Sequence, residues 1–389
     1  MNLDCLDFLG ISSLLTDEEI MVQKTTKNFA QNEIAPIIED CFEKSEFPAG
    51  IIEKIGSLGL LGANLPVEYG CSGMSHIAYG LICQELERVD SGIRSFVSVQ
   101  GSLVMYPIYA YGSEEQKKFW LPKMALGEKI GCFGLTEPNF GSNPSGMITR
   151  AIKSDGGYVL NGSKMWITNG SVADVAVVWA KDEEDKIRGF LVEKDFKGFS
   201  SPIMKGKWSL RASITSELVL DNVFVPETHI LPNVVGLKGP LGCLNQARYG
   251  IGWGVIGAAM DVYEIALKYS KDRIQFDKPI ASFQMIQEQL VWMFSEITKG
   301  QLLAYKVGKN KDDGTLKHSH VSMLKRNNVW AARECIKISR GILGANGITS
   351  DYSIMRHMMN MESVYTYEGT HEMHTLILGN EITDIPAFK

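Results

Sequence analysis

The hydrophobic period of this sequence changes along the chain, from helical to strand-like and back, and that constrains the fold more than any single residue does. Over residues 16–129 apolar side chains such as Ile20, Val22, Ala30 and Ile34 recur mostly at helical intervals, with breaks at Pro48, Pro66 and the glycines Gly70 and Gly73. Over residues 131–232 the runs become short and rich in β-branched residues, as in Tyr158-Val159-Leu160, Val175-Ala176-Val177-Val178-Trp179 and Leu218-Val219-Leu220. Asp155-Gly156-Gly157, Asn161-Gly162, Asn169-Gly170 and Asp221-Asn222 punctuate them, which reads as a compact antiparallel β domain. From Gly236 the helical pattern returns, and Gly250, Gly252, Gly254, Gly257, Ala258 and Ala259 would let a helix pack very closely. The chain therefore predicts an α+β fold: a helical domain at 1–130, a β domain at 131–235 and a helical domain at 236–389. No repeat, low-complexity segment or long linker divides it.

With 45% apolar and 22% charged residues in 389, the chain can bury a large core. A net charge of −6 argues against nucleic-acid binding, which needs a concentrated excess of Lys and Arg. The seven cysteines, Cys5, Cys41, Cys71, Cys83, Cys132, Cys243 and Cys335, are odd in number and form no C-x-x-C pair. Reduced thiols are expected, with neither a disulfide framework nor a metal site. The start, Met1-Asn2-Leu3-Asp4-Cys5-Leu6-Asp7, is acidic where an import signal would be basic. No uninterrupted apolar run reaches the ~18 residues of a membrane span. The expectation is a cytoplasmic, bacterial protein that does not insert into membranes.

Three stretches carry candidate chemistry. Tyr367-Glu368-Gly369-Thr370-His371-Glu372 sets a carboxylate beside a glycine, ahead of the helically spaced Met373, Leu376 and Ile377. Glu368 would lie where a turn opens towards a helix, a suitable place for a base; on these residues alone, Glu368 and Thr370 also read as an ordinary helix start. Arg94 and Ser98 are four apart and would share a helix face, though a lone Arg is most often solvated or ion-paired. The loop Glu137-Pro138-Asn139-Phe140-Gly141-Ser142-Asn143 could offer backbone N–H groups to an anion or a polar ring, but loops of this composition are common.

Taken together and in order, these blocks resemble the acyl-CoA dehydrogenase family, and within it the branch that acts on glutaryl-CoA. The resemblance runs from Phe47 to Phe388 and rests on Phe133-Gly134-Leu135-Thr136-Glu137-Pro138, Trp166-Ile167-Thr168-Asn169, Arg273 with Phe276, and Tyr367-Glu368-Gly369-Thr370. It implies a C-terminal four-helix bundle and a homotetramer with FAD held between domains and against a neighbouring subunit. It further implies that Leu135, Thr136, Ser142, Trp166 and Thr168 line the flavin, that Arg273 and Phe276 reach the partner's FAD, and that Thr370 and Glu372 complete the cofactor contacts. Ser142, Asn245 and Arg248 would hold the acyl-CoA thioester arm.

On the same resemblance Glu368 is the catalytic base that removes the α-proton while hydride leaves Cβ for the flavin. Glu87, Arg94 and Ser98 would receive the far carboxylate of glutaryl-CoA, and Tyr367 matches the decarboxylating members. The implied reaction is oxidation and decarboxylation to crotonyl-CoA and CO2, with electrons passed to an electron-transfer flavoprotein. Another short-chain acyl-CoA dehydrogenase, or an acyl-CoA oxidase, is the alternative. Some branches carry the base just before the arginine of the glycine-rich helix, where this chain has Ala247. Asn143, Gly341 and Ile93 depart from the family pattern at an Asp, a Gln and an aromatic position respectively.

Overall fold

The computed structural model describes residues 5–387; the start of the acidic N-terminus, residues 1–4, and the end of the family resemblance at Phe388 lie outside it. The N-terminal region is helical: α1 (Asp17–Phe29), α2 (Ala35–Lys44), α3 (Ile52–Ser57), α4 (His76–Glu87), α5 (Ser91–Ser98), α6 (Tyr106–Tyr111) and α7 (Glu114–Ala125). Their starts are written in the sequence. Thr16 with Glu19, and Ser113 with Gln116, close reciprocal capping boxes on α1 and α7. Asp90 caps α5 by accepting from the Gly92 N–H at 2.7 Å.

The middle region holds β1 (Gly131–Gly134), β2 (Arg150–Ser154), β3 (Gly157–Thr168), β4 (Val175–Lys181), β5 (Ile187–Glu193), β6 (Phe199–Ser200) and β7 (Thr215–Pro226). They form one sheet in the order β1-β4-β2-β3-β7-β6, with β5 also paired to β4. The sheet is mixed, which corrects the antiparallel expectation: β1 runs parallel to β4 from Gly131↔Val175 to Gly134↔Val178. The intervening loop and the β2–β3 hairpin form the crossover that parallel pairing requires. Sequence patterning misses this because β1 is only four residues long.

The C-terminal region comprises α8 (Lys238–Asp272), a hairpin of β8 (Ile274–Gln275) and β9 (Lys278–Pro279), then α9 (Gln284–Asp312), α10 (His318–Ile342), α11 (Ile354–Thr366) and α12 (His371–Thr383). The expected C-terminal bundle is built from three long helices together with two short ones, α11 and α12, both packed on α10. The break between those two is the Glu368 turn.

Helix α4 joins the two large cores. Ala78, Ile82 and Leu86 pack with the N-terminal helices and the near face of the sheet, while Ile77, Tyr79, Leu81 and Cys83 pack with α8, α9 and α10. A helix buried on all sides needs a close neighbour, and α8 supplies one through its glycines. A Cβ at Gly257 would stand 1.9 Å from the Gln84 carbonyl oxygen, and one at Gly254 would stand 2.1 Å from Glu87 Oε2. Helix α8 is long and apolar enough to cross a membrane, but 78% of its most apolar window is buried in protein, so packing uses that surface. Cys41, Cys71, Cys83, Cys132, Cys243 and Cys335 are free thiols, all buried except the half-buried Cys41.

Candidate active site

Glu368 occupies the turn between α11 and α12 in a left-handed conformation, at φ 53°, followed by Gly369 at φ 93°. A non-glycine residue pays conformational energy of ~1–3 kcal/mol to stay there, so its surroundings must hold it. Three consecutive carbonyls of the turn are held by cationic side chains. Arg248 on α8 donates Nε–H to the Glu368 carbonyl at 2.6 Å. Lys325 on α10 donates to the carbonyls of Tyr367 and Gly369, the latter at 2.6 Å. Thr370 then caps α12 by accepting from the Met373 N–H at 3.2 Å.

One carboxyl oxygen of Glu368, Oε2, is buried and has no hydrogen-bond partner. Burial raises the pKa of this carboxyl, while Lys325, Arg94 and Arg248 draw it back down. The group is thus an available proton acceptor with heightened proton affinity.

One residue upstream, the Tyr367 hydroxyl meets Arg94 Nη2. Arg94 in turn donates Nε–H to Glu87 Oε2 at 2.6 Å, and neither side chain of this pair has any exposed surface. Burial works against the Arg94 charge, yet Glu87 and Tyr367 hold it protonated, well above the ordinary range. Burial pushes the Tyr367 phenol up as well, so it stays neutral. In this pair Arg94 Nη1 and Glu87 Oε1 are buried without partners, and Ser98 Oγ, one turn on from Arg94 in α5, is buried near the Tyr79 hydroxyl. Buried polar atoms are rarely left so, and their clustering marks a place for a polar ligand. Arg94 is paired with Glu87, while Arg248 and Lys325 flank Glu368.

A second group lies on the β region. Leu135 is buried and Thr136 half-buried at the end of β1, and the Thr136 carbonyl accepts from the Met165 N–H at 2.8 Å. Thr168 is half-buried, and Trp166 is 57% exposed with a left-handed backbone at φ 63°. Beneath them Lys164 is buried, donating to the Leu135 carbonyl at 3.2 Å and to Glu137 Oε1 at 2.8 Å. An exposed indole between two threonines offers a ring face with hydrogen-bonding edges, which fits a flavin.

Residues 16–128, 132–223 and 235–383 match, in order, the acyl-CoA dehydrogenase N-terminal, middle and C-terminal domains. The chain belongs to the acyl-CoA dehydrogenase family. It is 35% identical to an acyl-CoA dehydrogenase of Bacillus subtilis (strain 168), over 94% of this chain and 97% of that protein. The fold is similar to the crystal structure of glutaryl-CoA dehydrogenase from Mycobacterium smegmatis, with a TM-score of 0.97, 53% identity and 99% of each chain covered. A glutaryl-CoA dehydrogenase structure from the same organism in complex with FADH2 gives a TM-score of 0.97, 49% identity and the same coverage.

In this acyl-CoA dehydrogenase chain the structure brings Glu87, Arg94, Arg248, Tyr367 and Glu368 into one connected cluster, with Ser98 on the same helix as Arg94. Asn245 is half-buried one turn before Arg248, and Ala247 is buried and carries no proton-accepting group. Ser142 is exposed on the loop after β1. Arg273 and Phe276 stand on the exposed β8–β9 hairpin, Phe276 at 85% exposure, and are not brought to either group. Glu372 is exposed in the first turn of α12, where its own backbone N–H and the Thr370 hydroxyl hold its carboxyl below the usual range.

The departures have local explanations. Asn143 accepts from Ser145 Oγ at 2.5 Å within its loop, Ile93 is fully buried in the N-terminal core, and Gly341 has open space where a side chain would project. Sequence reading missed Lys325 and Lys164. For Lys325 a signal existed: it falls between Val321 and Val329 on the buried stripe of α10, where a charge has no place unless it is used.

Proposed function

We propose that this acyl-CoA dehydrogenase oxidises and decarboxylates glutaryl-CoA to crotonyl-CoA and CO2. The observation that carries the reading is the Arg94–Tyr367 contact, because it joins the unpartnered polar atoms around Arg94 directly to the turn bearing Glu368. A ligand that spans this distance presents an anion at one end and an acidic C–H at the other.

FAD is the cofactor, and when bound it supplies the acceptor for the hydride that leaves Cβ. Leu135, Thr136, Ser142, Trp166 and Thr168 would hold its ring, and Thr370 and Glu372 its remaining length. Glu368 takes the α-proton onto its free carboxyl oxygen. Its backbone N–H would serve the thioester oxygen, where enolate charge develops. Arg248 fixes that turn, and Asn245 and Ser142 line the approach of the thioester arm. Arg94 Nη1 and Ser98 Oγ receive the far carboxylate, which would otherwise be buried without a partner at a cost of several kcal/mol. After oxidation that carboxylate is vinylogous to the thioester carbonyl, so its C–C bond electrons pass into the dienolate as CO2 departs. Reprotonation of the dienolate, for which protonated Glu368 is the nearest acid, gives crotonyl-CoA.

We further assign the electrons to an electron-transfer flavoprotein and the assembly to a homotetramer. Exposed Phe276, Met285, Val291 and Trp330 on the C-terminal helices and hairpin support burial against other subunits. The test is product identification by mass after anaerobic turnover of the FAD-loaded protein with glutaryl-CoA. Crotonyl-CoA with an equivalent of CO2 is the expected result. Glutaconyl-CoA as the end product would overturn the decarboxylation.

A further inference from the structure

Lys325 has no carboxylate partner within ion-pair distance among the described residues, although it is among the largest fully enclosed side chains in the molecule. Its hydrogen-bond acceptors are the two neutral carbonyls that flank Glu368, and its ammonium lies 5.5 Å over the Tyr367 ring. An ammonium buried against neutral oxygens alone is costly, and a neutral donor would hold a turn as well. The feature that a charge adds here is its field on Glu368.

We infer that Lys325 is a positioning residue of the base: seated on the carbonyls of Tyr367 and Gly369, its ammonium fixes the left-handed turn and keeps the Glu368 carboxyl ionised and ready to accept a proton. The inference rests on the reading of Glu368 as base. The groups facing Glu368 are Lys325 from α10, Arg248 from α8, Arg94 from α5 with Glu87 of α4 beyond it, His374 from α12, and Tyr367 on its own turn. His374 contributes no charge, since burial beside Lys325 and Arg248 pushes its imidazole down to about 2. Arg94 is already paired with Glu87, and Arg248 meets the Glu368 backbone. Of the two cations left without a carboxylate partner among the described residues, Arg248 and Lys325, Lys325 draws the Glu368 carboxyl down the more strongly. The dependence is mutual: burial lowers Lys325 to about 7, and the Glu368 charge is what opposes that fall.

Removing the ammonium destabilises the carboxylate form, so Glu368 binds its proton more tightly and activity fails at a higher pH. The experiment is the pH profile of kcat/KM for the FAD-loaded wild type, Lys325→Met and Lys325→Gln, with glutaryl-CoA and butyryl-CoA. In both variants the acid limb should move up by about one pH unit, with kcat at neutral pH down roughly tenfold or more, KM within about threefold and flavin content unchanged. If Lys325→Met does not fold, Lys325→Gln, which keeps a donor for the turn, is read instead. A uniform loss of kcat with the acid limb unmoved would show a purely structural role and overturn the inference, as would failure of both variants to fold. A wild type that oxidises neither thioester would instead defeat the reading of the site, before any variant is compared. A wild type that prefers butyryl-CoA changes the substrate and leaves the Lys325 test intact.

Discussion

Arg94 Nε lies 2.6 Å from Glu87 Oε2 with both side chains wholly buried, so the cation is neutralised within the protein and still keeps a free donor. Removing one member of such a pair strands the other. Arg94→Met should lower the stability of the FAD-loaded protein by ~3–5 kcal/mol, while Arg94→Met combined with Glu87→Leu should regain most of it. Thermal midpoints of the single and double variants check this. A double variant no more stable than the single one would show that the pair is not electrostatically closed.

Glu368→Gln keeps the shape of the base and removes its basicity. The flavin and the acyl-CoA thioester should still bind, while kcat falls by ~10²–10⁴. Single-turnover bleaching of the flavin absorbance reads the step directly, and a variant with near-normal turnover would displace Glu368 from its role.

Burial raises the Glu368 pKa, and the working form is the carboxylate, so activity belongs to the high-pH side. As pH falls through that raised value the base is protonated and kcat/KM declines in proportion. The acid limb of the wild-type profile should therefore have its midpoint above the ~4.3 of a free glutamate side chain. A profile flat down to about pH 4 would contradict the burial argument.

Gly254 gives a selective test of the Glu87–Arg94 pair. A Cβ there would lie 2.1 Å from Glu87 Oε2 and 3.2 Å from Arg94 Nε, so Gly254→Ala must push the pair apart. We expect kcat/KM for glutaryl-CoA to fall about tenfold or more, with butyryl-CoA changed less than about threefold, a difference of ~0.7 kcal/mol or more between substrates. Equal losses on both would mean that the glycine serves packing alone.

Sequence reading reached the order of helical and β regions because the hydrophobic period changes where the structure does. It placed Glu368 at a turn opening into a helix, as observed, because the turn-forming Gly369 and the cap Thr370 are local features visible in a short window. It missed the parallel pairing of β1 with β4 because strand direction is set by a crossover, which no local pattern records. The left-handed backbone of Glu368 is similarly hidden, since a glutamate does not advertise positive φ and Arg248 and Lys325 impose it from 120 and 44 residues or fewer away in the chain. The Glu87–Arg94 pair was visible as two charged residues, but its complete burial depends on glycines of α8 far along the sequence.

The most direct test of the account is the ratio of kcat/KM for glutaryl-CoA over butyryl-CoA, measured anaerobically with an artificial electron acceptor on the FAD-loaded wild type. The buried, unpaired Arg94 Nη1, with Ser98 Oγ on the same helix, predicts a preference for glutaryl-CoA of about tenfold or more. A ratio at or below one would contradict it, because the buried polar atoms around Arg94 would then receive no substrate carboxylate.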